Sequence, residues 1–512
     1  MLLHVSISCS LLFRILVYRD QKAALLEQEL TAAATIVGVV TRNRVPSLVA
    51  CLESYLENCR RHGRTAEFVV TDDSPGAEAQ DQARAALQLL EKPVGAPQIR
   101  YAGWREKGRF AEALARESAV PLEIIRFALF GDDRCALSTG ANRNSLLLDT
   151  VDTLVLSVDD DTRCRIAMPP EAEETLAFFS GYDPTEFWFF ADHASAIESL
   201  SFVDIDVLRC HEELLGNAVA DVGDPAASGR VAITLHGLVG DSGMSSSRYY
   251  LSLTGASRER LVASANAYQS AFRSREVLRA VRRPTFSAGP FCMTTFLGFD
   301  NRLLLPPFFP VQRNADGIFG IVLQKCVDRS RVAFLPSVLL HRPVAPRAFA
   351  PDEIWTDTGS VRMADVVIAC VLAHEGGSAP LTDATRLVQL GRFLQWLGSL
   401  TLSDFEAHVL SLQQYRTMAF ITVLQSHLHM YGASPSFWAD DVKRMIELLS
   451  KGTSTEDYIV PRDLRLGHDV EEARRLSQEL VARFGELLEA WPTIVAAARR
   501  LRANGCRLTD PV

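Results

Sequence analysis

A run of three aspartates at the end of an apolar segment is the clearest chemical signal in this 512-residue chain. Residues 154–161 read LVLSVDDD, and such an apolar run is typical of a buried strand. Unpaired ionised carboxylates are too costly to bury, so we expect the chain to leave the sheet at Asp159, with the acids in a cleft. In extended backbone Asp159 and Asp161 project to the same side. Two carboxylates on one side predict a site for Mg²⁺ or Mn²⁺, with substrate phosphates completing the coordination shell.

The elements before this cluster predict the sheet that would position it. Strand patterns at 35–41, 67–74 and 99–102 alternate with helical patterns at 47–59 and 77–90. This β-α-β-α-β order is typical of a parallel sheet with right-handed crossovers. Open sheets of this kind bind ligands beyond the carboxyl ends of their strands, which is where the aspartates are expected.

The rest of the chain divides by its periodicity. Helical composition at 20–33 falls within a predicted N-terminal extension, 1–34. We predict an α/β domain over 35–350, in which the looser pattern of 165–285 indicates a mixed insertion with long loops. Helical periodicity then dominates, which predicts a helical domain over 351–512.

Composition narrows the class of protein. The net charge of −9 lacks the basic character of a nucleic-acid binder, so we expect no nucleic-acid partner. No segment approaches the roughly 18–20 apolar residues of a membrane span, so we expect no transmembrane segment. The ten cysteines form no CxxC pair, which favours free thiols in a reducing, cytoplasmic setting.

Two short motifs suggest other enzymes and fail in their details. A phosphatase motif needs a threonine where Arg163 stands, because Thr162 directly follows Asp161. Residues 240–243 read GDSG, as in trypsin-like proteases, but Met244 replaces the next glycine and the βαβ start contradicts an all-β fold. We therefore expect this segment to form a turn, which could lie near a substrate.

Four segments together resemble GT-A glycosyltransferases, especially those of family 2. Residues 35–56 (TIVGVVTRNRVPSLVACLESYL) are similar to the opening strand, loop and helix of that family, and 68–74 (FVVTDDS) to its second strand. Residues 140–144 (GANRN) are similar to its Gly-x-x-x-Ala-Arg-Asn helix start, and 155–161 (VLSVDDD) to its metal-binding DxD strand.

Two later segments extend the resemblance to residues 35–345, without the helical tail. Residues 313–320 (RNADGIFG) resemble the family's late acidic motif, although Ala315 replaces its glutamate and only Asp316 carries over. Residues 334–343 (FLPSVLLHRP) place His341 after a final strand, where many GT-A enzymes have a metal ligand.

The resemblance implies a GT-A fold, Rossmann-like and mostly parallel, and a metal-dependent glycosyltransferase. The enzyme would transfer a sugar from a nucleotide diphosphate sugar, UDP-sugar favoured, to a nucleophile of a peptide, natural product or glycan. Mn²⁺ or Mg²⁺ would be held by Asp159, Asp161 and His341. Asp73 resembles the aspartate that accepts a hydrogen bond from uracil. The implied substrate-binding residues are Thr41, Arg42, Asp73, Asn142, Arg143, Asn144 and Asp160.

Three of these residues have alternative interpretations. Asp316 is the candidate general base, because an inverting transfer needs a carboxylate to take the acceptor's proton. The alternatives for Asp316 are a helix N-cap and, in a retaining enzyme, a positioning role. Arg143 would meet a phosphate at a helix N-terminus or form an ion pair with the aspartates. His341 would otherwise be a surface histidine.

The acceptor and the overall function also have alternatives. Aromatic residues within 165–285 would form an acceptor cleft or fill the core: Trp188, Phe189, Phe190, Tyr249, Tyr250 and Tyr268. The helical domain would recognise a peptide or form a homodimer, or pack as an ordinary bundle. A catalytically silent GT-A binding module is one alternative function. A sugar nucleotidylyltransferase is another, although it would need a glycine-rich loop that 41–46 (TRNRVP) lacks.

Overall fold

The computed structural model describes residues 35–90, 98–221, 224–356, 358–376, 381–452 and 459–512. The predicted extension 1–34 and its helix at 20–33 lie outside these residues. Within the described part of the chain no helix is long and apolar enough to cross a membrane, and the nine cysteines found there are all free thiols.

The strands of the described residues belong to one mixed sheet. They are β1 Thr35–Thr41, β2 Glu67–Asp72, β3 Ile99–Ala102, β4 Leu154–Asp159, β5 Thr162–Ala167, β6 Ala177–Phe179, β7 Glu186–Phe189, β8 Phe202–Val203, β9 Ala218–Asp221, β10 Asp224–Asp241, β11 Glu276–Ala280, β12 Thr285–Ser287, β13 Phe296–Asp300, β14 Ser330–His341 and β15 Asp510–Pro511. The main order is β15-β3-β2-β1-β4-β13-β10-β14-β12-β6.

Helices flank this sheet and dominate the C-terminal part of the chain. They are α1 Val45–Arg61, α2 Ala77–Leu89, α3 Trp104–Ser118, α4 Leu122–Phe130, α5 Thr139–Asp149, α6 His193–Glu198, α7 Val207–Glu212, α8 Gly255–Leu261, α9 Ala265–Ala271, α10 Ala315–Cys326, α11 Glu353–Thr356, α12 Met363–Ala373, α13 Asp383–Gly398, α14 Leu402–Met430, α15 Ser436–Gly452 and α16 Val470–Ala503. The α/β class and the helical C-terminal region predicted from the sequence are confirmed.

The parallel part of the sheet creates a crevice between β1 and β4. Strand β1 pairs in parallel with β2 on one side and with β4 on the other, and β3 follows β2. The chain runs outward from β1 to β3 and returns to the other side of β1, so the strand order reverses between β1 and β4. Ligands bind beyond the carboxyl ends of strands at such a switch point. Thr41 and Asp159 end these two strands.

The segment 165–285 is more ordered than the predicted insertion with long loops. Its 18-residue strand β10 lies inside the sheet, antiparallel to β13 and parallel to β14. Strands β7 and β11 extend from β10 as an antiparallel branch. Glycines, serines and aromatic residues obscured the strand pattern in the sequence, and pairing with distant β13 and β14 determines where β10 lies.

The C-terminal helical region packs against the sheet layer. Trp491 on α16 is fully buried and donates its indole N–H to the carbonyl of Leu305 at 2.7 Å. After α16 the chain adds β15 antiparallel to β3 at the edge of the sheet. Arg507 there pairs with the buried Asp149 at the end of α5. One continuous hydrophobic core therefore joins the sheet, its helices and the helical region.

Candidate functional site

The three aspartates lie at the turn between β4 and β5, where their carboxylates have different partners. Asp159 ends β4, Asp160 and Asp161 form the turn, and Thr162 begins β5. The prediction that Asp159 and Asp161 project the same way assumed extended backbone, and the strand ends at Asp159. Each carboxylate instead has its own partners on other elements.

Asp161 and His341 are brought into contact across 180 residues of sequence. His341 ends β14 and pairs in register with Thr162 of β5, and its Nε2 lies 3.3 Å from Asp161 Oδ1. Its Nδ1 donates to the carbonyl oxygen of Asp241 at 2.5 Å. With Nδ1 held in this way, a neutral ring presents the lone pair of Nε2 beside Asp161, as metal-binding histidines do. His341 is buried, so the surface-histidine alternative is wrong.

The contact between these residues affects the pKa values of both. Burial acts to raise the pKa of Asp161, but the hydrogen bond and charge of His341 and the charge of Arg44 lower it below its usual range. Burial acts to lower the pKa of His341, and the hydrogen bond and charge of Asp161 outweigh it and raise that pKa. Without another cation, the pair therefore favours an ionised carboxylate beside an imidazolium.

Arg44 is a second cation on the aspartates. Its Nη1 donates to Asp161 Oδ2 at 2.7 Å and its Nη2 lies 3.0 Å from Asp160 Oδ1, while Thr41 donates to Asp160 Oδ2 at 2.6 Å. Burial raises the pKa of Asp160 to about 7, although Arg44 and Thr41 act in the opposite direction. Asp160 is fully buried, which leaves Thr41 and Arg44 as its contacts rather than open space for a ribose.

Arg143 supports the third carboxylate from within α5. It is buried, donates to Asp159 Oδ1 and also donates to Ser157 Oγ at 3.2 Å. Of the two interpretations of Arg143, the ion pair with an aspartate is the one present. Gly140 lets the start of α5 lie against the segment before α10, because a Cβ there would lie 1.8 Å from the carbonyl oxygen of Phe309.

Asp316 lies in the first turn of α10, close enough to Arg143 and Asp159 for their charges to act on it. Desolvation raises the pKa of Asp316, the Arg143 charge acts against this, and the Asp159 charge adds to it. The N-cap of α10 is Asn314, so the alternative that Asp316 is the N-cap is wrong. Its Oδ1 accepts from the N–H of Gly317 at 3.0 Å.

Asp73 is enclosed by its own partners. Lys107 Nζ, on a side chain with no exposed surface, donates to Asp73 Oδ1 at 2.8 Å and to Asn142 Oδ1 at 2.9 Å. Ser138 donates to the other carboxylate oxygen, and Asn142 also donates to the backbone of Thr41 and Thr71. The predicted reading of uracil by Asp73 needs an acceptor that faces the crevice, and each carboxylate oxygen already accepts from a protein donor.

Asn144 and Arg42 also differ from the expected substrate contacts. Asn144 is fully buried, and its amide bonds the carbonyls of Ala128 and Phe308 and the N–H of Phe308. These bonds hold the loop before α10 and leave Asn144 outside the crevice. Arg42 is half-buried at the mouth of the crevice and donates to the carbonyl of Ala136 at 3.3 Å.

The aromatic residues of segment 165–285 divide between core and surface. Tyr250 and Tyr268 are buried, whereas Trp188, Phe189 and Phe190 line a pocket of about 400 Å³ on the branch formed by β7 and β11. Tyr249 is 36% exposed and donates to Asp183. Beside it, Tyr182 is 54% exposed. Partial burial and then the charges of Asp183 and Asp316 raise the pKa of Tyr182. Tyr182 is therefore an exposed aromatic side chain within electrostatic reach of the candidate base, and Tyr249 lies beside it.

Sequence reasoning missed the charged partners that complete the site. Arg44 stood in the quoted loop after β1, and Asp241 in the GDSG segment, so both had a local signal that was assigned no role. Lys107, Arg275 and Arg347 had no such signal, because their importance comes from tertiary contacts to Asp73 and Asp241.

The possible metal ligands form a pair. Among the described residues, no three His, Cys, Asp or Glu side chains make a ready metal cluster. Asp161 and His341 are the two adjacent donors, while Asp159 is engaged by Arg143. Scans of protein-family models and of curated proteins found no match to this sequence. Functional inference therefore depends on the geometry of these residues.

Proposed function

We propose that this protein is a GT-A glycosyltransferase that transfers a sugar from a nucleotide diphosphate sugar to a nucleophilic acceptor. The observation that carries the proposal is the contact of Asp161 with His341 beside the end of β4, where Asp159 lies within electrostatic reach of Asp316. Open α/β sheets bind ligands at this position, which supports the proposal that Asp161 and His341 bind a cation and that Asp316 is the base.

A divalent cation fits the donor set of this site. Mg²⁺ and Mn²⁺ are commonly held by one or two carboxylates plus substrate phosphates, and Asp161 with His341 supplies a carboxylate and an oriented imidazole. When bound, such an ion stabilises the negative charge that grows on a departing diphosphate. Arg143 fixes Asp159 at the edge of the pair, so Asp159 would act on the ion's water molecules rather than bind it.

Asp316 is suited to act as the general base. Its pKa is raised by desolvation, which increases its affinity for the acceptor's proton. In the proposed step the acceptor oxygen forms a bond to the anomeric carbon, the bond to the diphosphate oxygen breaks, and the acceptor's proton passes to Asp316. Tyr182 and Tyr249 offer exposed aromatic faces on which a sugar or another ring of the acceptor would stack.

A specific observation favours one competing function. Arg44 contacts carboxylate oxygens of both Asp160 and Asp161, so its guanidinium would compete with a metal ion for these oxygens. A silent nucleotide-sugar-binding module of the same fold would use this arrangement as a permanent substitute for the ion. The silent module would therefore bind a nucleotide sugar without the ion and would not turn it over.

The test combines binding with turnover. Thermal shift with UDP, GDP, CDP and dTDP, each with Mn²⁺, Mg²⁺ or EDTA, measures stabilisation of the native state by mass action. We expect a shift with one nucleotide that EDTA reduces, and slow hydrolysis or transfer of the matching nucleotide sugar. Binding with no turnover would favour the silent module, and no shift with any nucleotide would contradict both functions.

A further inference from the structure

Asp241 organises a cluster of arginines beside the candidate metal pair. It is buried, and its two carboxylate oxygens accept from Arg275 Nη2 at 2.9 Å and from Arg347 Nε at 2.9 Å. Its backbone carbonyl accepts from His341. Gly240 permits this geometry, because it has φ 110° and a Cβ there would lie 2.2 Å from the carbonyl oxygen of His341.

Arg313 faces this cluster from the loop before α10. It lies between two non-glycine residues in the left-handed region, Gln312 with φ 62° and Asn314 with φ 68°. Such backbone strain tends to occur where a side chain is held for function. Gln312 donates to the carbonyl of Asp463, whose carboxylate accepts from the N–H of Met363. The Arg313 loop is thus tied to the segment that carries Arg362.

Arg362 joins the two sides of the cluster. Its Nη1 donates to Ser245 Oγ at 2.7 Å, in the loop that follows Asp241. Arg313 lies within electrostatic reach of Arg362 and of the two arginines bound to Asp241, and the charge of Arg347 also reaches Asp161.

The charge of Arg313 is not neutralised by an acid among the described residues. Part of the residue reaches the surface while its guanidinium is partly desolvated, and it forms no ion pair with a carboxylate there. Desolvation lowers the pKa of Arg313, and four other guanidinium groups lower it further: those of Arg347, Arg362, Arg275 and Arg44. Mutual repulsion of this kind costs folding free energy, and a bound anion would relieve it.

We infer that Arg313 and Arg347 form a binding site for an oligophosphate group, next to the Asp161–His341 pair and able to bind without a divalent cation. Guanidinium groups suit phosphate because their planar N–H forks make paired hydrogen bonds to its oxygens. This inference rests on the proposed function in identifying the oligophosphate as the diphosphate of the donor. The arginines and the cation would together stabilise the negative charge that grows on the diphosphate as it leaves.

The experiment is isothermal titration of the full chain in EDTA with inorganic pyrophosphate, UDP and uridine. We expect pyrophosphate and UDP to bind, and Arg313→Gln to raise both Kd values roughly tenfold or more, as loss of charge-assisted hydrogen bonds implies. Arg347→Gln should act in the same direction. Arg116→Gln is the matched control, because Arg116 is exposed on α3 and its nearest acid is Glu112 at 4.0 Å. Unfolding midpoints check that each variant is folded.

The outcomes separate this site from the proposed reaction. Unchanged pyrophosphate and UDP affinity in Arg313→Gln, or no binding by the wild type at millimolar pyrophosphate, would overturn the inference even if the protein turned over a nucleotide sugar. Loss of pyrophosphate binding in Arg313→Gln with no turnover of any nucleotide sugar would support the site and count against the glycosyltransferase. A loss confined to pyrophosphate, with UDP unaffected, would assign the site to a phosphorylated acceptor.

Discussion

Replacing Arg44 by glutamine should strengthen binding of Mn²⁺, because the arginine competes for the oxygens that the ion needs. Its guanidinium contacts Asp161 Oδ2 at 2.7 Å and Asp160 Oδ1 at 3.0 Å. A hydrogen bond to a charged group contributes about 1.5–3 kcal/mol, whereas an exposed ion pair contributes only about 0–1 kcal/mol.

The exposure of the two partners decides between these values. The arginine side chain is 39% exposed but Asp161 is only 5% exposed, so we expect roughly 1.5–2 kcal/mol for freeing the oxygens. Since about 1.4 kcal/mol corresponds to a tenfold change, Arg44→Gln should lower the Mn²⁺ Kd by about tenfold or somewhat more. Removal of a positive charge beside the ion acts in the same direction.

Mn²⁺ titration followed by electron paramagnetic resonance of the free ion measures this Kd directly. Arg42→Gln is the matched control, because Arg42 lies in the same loop and donates to the carbonyl of Ala136; the Kd of this variant should equal that of the wild type. Asp161→Asn should abolish binding. An unchanged or weaker affinity in Arg44→Gln, with Asp161→Asn still able to bind, would refute the assignment of the ion to this pair.

Three further predictions concern other groups of the fold and site. Lys107→Met should cost about 3–5 kcal/mol in urea unfolding, because it leaves buried Asp73 without its cation, and adding Asp73→Asn should recover part of this; additive losses would contradict a coupled pair. Burial lowers the pKa of His236 to about 3. Below about pH 6.5 the unfolded chain therefore binds a proton that the folded chain does not. The free energy of unfolding should decrease as the pH decreases, by roughly 2–3 kcal/mol at pH 4.5. His236→Asn should flatten that dependence, and an unaltered acid profile would count against it. Asp316→Asn should retain nucleotide affinity and lose at least a hundredfold in turnover, whereas wild-type turnover should fall as acid protonates Asp316; a fully active variant would make Asp316 structural.

The local elements of this protein were predictable from its sequence. The apolar runs of β1, β2 and β4 and the helical spacing of α1, α2 and α5 appear where periodicity placed them, because burial of one face is a local property of the pattern. The sequence also predicted that three aspartates would leave the sheet at Asp159, since burying unpaired carboxylates is prohibitively costly.

Tertiary structure alone decided which partner each charged group received. Asp161 meets His341 because β5 pairs with β14, Asp159 meets Arg143 because α5 packs on β1 and β2, and Asp73 is closed off by Lys107 from α3. Strand β10 likewise belongs to the sheet through pairing with β13 and β14. The partner of each charged group and the position of β10 depend on strand register and on packing between segments far apart in the chain. No local pattern of residues encodes either of these.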